Sequence, residues 1–319
     1  MDNMFSNCEK LNSFTFSEFD TSNVINMNNM FLNCKLLSSI EFIKFNSPKL
    51  ESLTGLFQNC ESLNTIIFKD YYAPNVKNID RMFSNCNSLT LLNLTNFQTS
   101  KVIKMSNLFQ SCKKLETLVI DKFDTSNVED MSSMFYECES LSSLSLNNMN
   151  TSLVTNMSKI FYGCNNLSNL QITNFDTSKV IDMGFMFYNC NSLTSVNLSN
   201  FKTENVLYMN SMFYNCGSLT FINLSNFETK NVKTMSNMFS ECQSLTSIII
   251  SNFNTSNVNN MENMFNNCIS LIALNLTNFD ASKVSIMNSM FYNCSSLKYL
   301  DLKDFTTKDV SNMKFMFYN

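Results

Sequence analysis

Cysteine recurs at Cys8, Cys34, Cys60, Cys86 and onward to Cys294, twelve times, always twenty-six residues apart. A row of this kind admits three chemistries. In-register neighbours would bring their Cα atoms within bridging range of a disulfide. Thiolates could ligate zinc. Buried thiols could also pack as small hydrophobes. A line of thiols is not a tetrahedral set, and the chain has no histidine, which removes the usual zinc co-ligand and the commonest general base. One cysteine per repeat, at a fixed distance from Leu and Phe, favours a reduced and buried ladder.

Other reactive types give less. Asp20, Asp124, Asp176 and Asp280 share one slot in the repeat, but their repeats are never adjacent. A calcium ladder would need consecutive acids and glycine-rich turns, and the chain has 4 glycines. These aspartates read as turn caps. The methionines recur with threefold spacing inside an apolar pattern, which is a packing signal. Asn-Leu-Ser/Thr at Asn93, Asn197, Asn223 and Asn275 matches a glycan acceptor pattern, but it falls on a strand and reads as a by-product of repetition. No catalytic residue, metal site or cofactor is expected, and the chain does not read as an enzyme.

Binding is the chemistry left open. Tyr136, Tyr162, Tyr188 and Tyr214 stand two residues before four successive cysteines, with Tyr292 and Tyr318 in the same slot further on. They predict a stacked stripe along one edge, and Tyr is a common interface anchor. A second candidate surface lies on the strand face, where Leu91, Val119, Phe221, Ile249 and Tyr299 interrupt a run of Ser, Thr and Asn. The candidate binding residues are therefore Tyr136, Tyr162, Tyr188, Tyr214, Phe221 and Tyr299.

The elements that must position these residues follow from the repeat itself: C-x2-L-x2-L-x-L-x2-F-x-T-x2-V-x2-M-x2-M-F-x2. An exact internal period outranks local propensity. The alternating leucines predict a strand near Thr117–Asp121 and its equivalents. Twelve such strands should stack in parallel, about 4.8 Å apart. Asp124–Ser126 reads as a turn, supported by Pro48 and Pro74 in the equivalent place of other repeats. A brief strand or corner is expected at Val128–Met131, then one helical turn at Ser132–Tyr136. Asn before Cys suits a left-handed backbone. The fold class is an α/β repeat solenoid, a leucine-rich-repeat superhelix. A parallel sheet forms one face; short strands, turns and single helical turns form the other.

The 319 residues carry no linker or composition shift, so residues 1–319 read as one continuous array of twelve rungs. Charged residues are 15% and net charge is −4, which argues against a nucleic-acid partner. No apolar run approaches the roughly 20 residues of a membrane span. Core-type residues at both ends (Met1, Met4 and Phe5; Met313, Met316 and Phe317) leave the array uncapped and able to associate end to end.

The runs FDTSNV at Phe123–Val128 and MSSMFYEC at Met131–Cys138 resemble the repeats of BspA-like leucine-rich-repeat surface proteins. The resemblance extends over all twelve rungs. It implies a solenoid at the cell surface or secreted, used in adhesion or recognition of extracellular protein or glycan. A structural spacer or self-assembling array without a ligand is the alternative. The rung 34–59 departs most, with Ser47, Pro48, Leu50, Leu53 and Leu56, and predicts local irregularity within the same fold.

Overall fold

The computed structural model describes every residue of 1–319 except Glu18, Asp304 and Asn319. Each rung contributes at most one short strand: β1 (Ser13–Phe16), β2 (Ser39–Ile43), β3 (Thr65–Lys69), β4 (Leu91–Asn93), β5 (Thr117–Val119), β6 (Ser143–Ser145), β7 (Asn169–Gln171), β8 (Phe221–Asn223), β9 (Ser247–Ile249), β10 (Ala273–Asn275) and β11 (Tyr299–Asp301). Pairing is parallel and in register with the repeat, as in Leu92 against Leu118. The fold is a parallel β-solenoid of the leucine-rich-repeat kind. In β4, β6, β8 and β10 the central residue is buried and its neighbours are exposed, as a pleated half-buried strand requires.

The sheet is not continuous. β1–β3 form one sheet, and β4–β5, β6–β7, β8–β9 and β10–β11 form four separate pairs. The equivalent residues Ser195–Asn197 form no strand. A turn in the later rungs accounts for their short strands. Phe97 N donates to Leu94 O at 2.9 Å and Phe227 N to Leu224 O at 3.0 Å, folding the chain away after three residues. Asn93, Asn197, Asn223 and Asn275 reinforce that turn, each accepting at Oδ1 from the backbone N–H two residues on. Local side-chain bonds of this kind compete with a ladder. The first three rungs have Thr15, Glu41 and Ile67 at that position, and their strands run to four or five residues.

A second ladder compensates. Single parallel bridges run from Asn26–Ser52 rung by rung to Ile286–Asn312 without interruption. Beyond it comes the stretch expected to be a helical turn. That expectation fails: Ser132–Tyr136 is not helical, and no described residue lies in a helix. Ser133 and Glu137 have φ of 55° and 54°, outside the helical region. Alternate N–H groups leave the rung: Ser133 N bonds Ser158 O at 2.9 Å and Phe135 N bonds Ile160 O at 2.9 Å. The others close three-residue turns, as Cys138 N does to Phe135 O at 3.1 Å. A helix would send every donor back four residues; here the neighbouring rung claims half of them.

The rungs thus share two left-handed positions, one immediately before Cys and one five before it, and Lys44 and Asp70 add a third in their rungs. The expectation of left-handed backbone before Cys holds at Asn33, Asn59, Asn189 and Gly163. Rung 34–59 keeps the fold: Leu50, Leu53 and Leu56 are buried, and its irregularities include an extra bridge, Asn46–Tyr72, and a left-handed Lys44.

The core is one cluster extending from Phe16 to Met316, built from columns. Phe109, Phe135, Phe161 and Phe187 stack with ring centroids 5.6–5.8 Å apart. The threonine column is buried yet satisfied. Thr177 Oγ1 donates to Lys202 O and accepts from Lys202 N, both at 2.8 Å. Tyr71 stands in the Phe column, stacked on Phe45 and Phe97, and its buried hydroxyl has no hydrogen-bond partner.

Candidate functional site

Every cysteine is free, and those from Cys34 to Cys294 are buried while Cys8 is exposed. Packing alone does not describe them. The thiol of Cys138 donates to Phe109 O at 3.2 Å, that of Cys164 to Phe135 O at 3.1 Å, and the pattern holds along the core. The same carbonyl already accepts the backbone N–H of its own rung's cysteine. The slot therefore wants a side chain that is small, apolar enough to bury and still a weak donor, which is cysteine. Burial raises the thiols to about 11 at Cys34 and Cys294 and to about 12 at Cys112, Cys164 and Cys242. They are protonated at neutral pH and poor nucleophiles.

The aspartates of the shared slot act on their own turns. Asp20, Asp176 and Asp280 accept from the N–H of Ser22, Ser178 and Ser282 at 2.9–3.0 Å. Those bonds to Ser lower all three carboxyls. Among the described residues, no group of three or more acids or cysteines is arranged to hold a metal ion.

The structure brings four of the sequence-derived candidates together. Tyr136, Tyr162, Tyr188 and Tyr214 are half-buried and form one column. Successive ring centroids are 4.5, 4.4 and 4.5 Å apart, with interplanar angles of 8°, 1° and 7°. Each ring covers its neighbours' faces, so the column shows solvent its edges and hydroxyls. Burial, then the neighbouring phenols, pushes Tyr162 up to about 12. Burial likewise raises Tyr136 and Tyr214, so these hydroxyls remain donors. The residue before Cys forms amide ladders: Asn215 to Asn189 at 3.0 Å beside the Tyr188–Tyr214 end of the column, and Asn59 to Asn33 at 2.7 Å in earlier rungs.

The other two candidates are elsewhere. Phe221 and Tyr299 lie on β8 and β11 of the strand face, 46% and 58% exposed, and three rungs separate them. Ile67, Leu91 and Ile249 are also exposed on that face. Open clefts mark the interruptions of the sheet. One of about 360 Å3 is lined by Val196, Phe221 and Asn226. Another of about 410 Å3 is lined by Ile66, Ile67 and Asn93.

Sequence reasoning missed Phe185. Its ring centroid is 5.9 Å from that of Tyr188 and 6.5 Å from that of Tyr162, and the Lys159 ammonium lies 5.6 Å from its own. Phe185 occupies the left-handed slot five before Cys, with φ of 58°. Asn29, Asn107, Asn237 and Asn263 fill that slot elsewhere. For a bulky residue this conformation costs roughly 1–2 kcal/mol. The available signal was an aromatic residue, shared only by Phe315, in a column otherwise polar or Gly.

A parallel solenoid with buried side-chain ladders, no helix among the described residues and two decorated faces defines a leucine-rich-repeat type of scaffold. The sequence matches the family described as "Mycoplasma protein of unknown function, DUF285" over residues 1–93, 77–169, 142–247 and 218–319, and the chain belongs to that family. No curated protein matches it. Similar solved structures include a leucine-rich repeat protein from Bacteroides ovatus (19% identity, TM-score 0.44, covering 92% of this chain and 82% of that one). A leucine-rich repeat protein from Eubacterium ventriosum has 13% identity and TM-score 0.44, covering 96% and 88%. A leucine rich cell surface protein from Faecalibacterium prausnitzii has 14% identity and TM-score 0.39, covering 92% and 88%.

Proposed function

We propose that this chain is a non-enzymatic binding module, displayed at a cell surface or secreted. Residues 1–319 act as one continuous array whose strand face meets an extracellular protein or glycan. The observation that carries this reading is the set of large apolar side chains left exposed on that face: Ile67, Leu91, Phe221, Ile249 and Tyr299. Exposed apolar groups among polar ones suit a contact patch, and the adjoining clefts would receive a partner's side chains or sugar rings. Tyr136, Tyr162, Tyr188 and Tyr214 provide a second contact surface.

The test uses the immobilised chain against a panel of purified extracellular glycoproteins and printed glycans. A binder should lose at least tenfold in affinity with Phe221→Ser or Leu91→Ser, substitutions that introduce a residue type already common on the face. Silence across the panel, or binding indifferent to both substitutions, would favour a ligand-free spacer.

A further inference from the structure

We infer that the tyrosine flank is an association surface for a second copy of this chain, laid side by side with the first. The inference gives the second contact surface its own partner and is independent of the strand-face reading, because it uses different columns of the solenoid.

Three observations point to it. The first is strain. Phe185 holds a left-handed backbone at φ 58° in a slot where most rungs have Asn, Ser or Gly, with Arg81, Lys159 and Phe315 the other bulky residues there. Strained residues persist where function maintains them, and this one leans a ring against the edges of Tyr162 and Tyr188. The second is the repeat. The hydroxyl edges recur every 4.4–4.5 Å over four rungs. An extended peptide advances about 3.3 Å per residue and loses register within two or three steps, whereas neighbouring strands lie about 4.7–4.9 Å apart. Only a partner built on interstrand spacing stays matched along the whole column, and a second copy has that spacing. A sugar ring would pack on an aromatic face, and here the faces are covered.

The third observation is self-complementarity. Consider a two-fold axis perpendicular to the solenoid and midway between the rungs of Tyr162 and Tyr188. It sets Tyr162 of one copy against Tyr188 of the other, and Tyr136 against Tyr214. The same operator sets Lys159 against Phe185, and within one chain this ammonium already lies over this ring at 5.6 Å. Such an isologous contact makes each pairing twice and closes at two chains. Cation–π and aromatic contacts of this kind are favourable once water is excluded.

Sedimentation equilibrium and light scattering over a concentration series test this on the whole chain. The expected result is a mass that saturates at two chains. Tyr188→Ser, which introduces the residue that Ser84 and Ser240 supply in the same slot, should weaken dimerisation at least tenfold. Phe185→Asn should do the same while moving the other way on stability. At a dilution where both are monomeric, it should unfold at higher urea than the parent, because the strain is gone. That opposite pair of shifts is not expected of a residue with a merely structural role. A monomer at every concentration would overturn the inference. So would a dimer indifferent to both substitutions, or growth beyond two chains that they leave unchanged.

Discussion

Replacing Thr177 by valine keeps the shape of the side chain and removes one oxygen. Thr177 is fully buried, and its Oγ1 makes two 2.8 Å bonds to the backbone N–H and C=O of Lys202 in the next rung. The substitution leaves that donor and that acceptor without partners, and each orphaned group costs about 1–3 kcal/mol. Lys202 lies at the corner of its rung, where water recovers part of the loss, so the lower half of the sum applies: about 2–4 kcal/mol. Thr177→Ser keeps both bonds and should cost under about 1 kcal/mol, chiefly for the missing methyl group. Urea unfolding measures the two differences, and amide exchange resolved at Lys202 should show faster exchange in the valine variant only. A valine variant within about 0.5 kcal/mol of the parent, with Lys202 still protected, would mean that the threonine column adds nothing beyond packing.

Tyr71→Phe removes a buried hydroxyl that lacks a partner while keeping its stacks on Phe45 and Phe97. It should stabilise by about 1–2 kcal/mol in urea unfolding, and a loss of stability would show that the hydroxyl is satisfied. Arg81→Asn, at an exposed residue with φ of 55°, should stabilise by about 0.5–1 kcal/mol, since Asn tolerates this backbone better; an unchanged midpoint would contradict the strain argument. The thiols set a pH limit. Their folded values, about 11 at Cys34 and about 12 at Cys164, lie above the ordinary thiol value, so the folded state holds the protons more tightly. Stability from this source is complete below about pH 8.5 and falls as pH rises towards 12. Alkaline titration by circular dichroism should show unfolding and thiol labelling together, whereas rapid labelling of Cys34 to Cys294 at neutral pH would refute the buried ladder.

The period and the core columns were legible because every rung repeats them: a Phe or Cys at one interval throughout can only be packing or chemistry, and the absence of histidine left little chemistry. The carbonyl partners of the thiols were not legible, since a backbone acceptor leaves no mark on composition. The helical turn at Ser132–Tyr136 was misread because spacing of three, three and one is shared by a helix and by a chain that turns at two left-handed residues. The choice between them lies with N–H groups bonding the next rung. The breaks in the sheet depend on turns at Thr95–Asn96 and its equivalents, which compete with the ladder by margins that residue types do not state. The stacking of Tyr136 to Tyr214 follows from register alone, whereas Phe185 was hidden by averaging: a consensus discards the few rungs, those of Arg81, Lys159, Phe185 and Phe315, that depart from it.

The thiol bonds, the buried threonine bonds and the amide ladder before Cys join residues 25–29 positions apart, that is, one rung to the next. No contact in these columns identifies which rung it belongs to. Excising one whole period therefore rejoins two surfaces that carry the same donors and acceptors, whereas losing a single residue shifts every column at once. Genetic exchange between mispaired repeats would thus lengthen or shorten the array in whole periods without a folding penalty at the joint. Copy number becomes a heritable variable, and with it the reach of each face and the number of tyrosines standing in line.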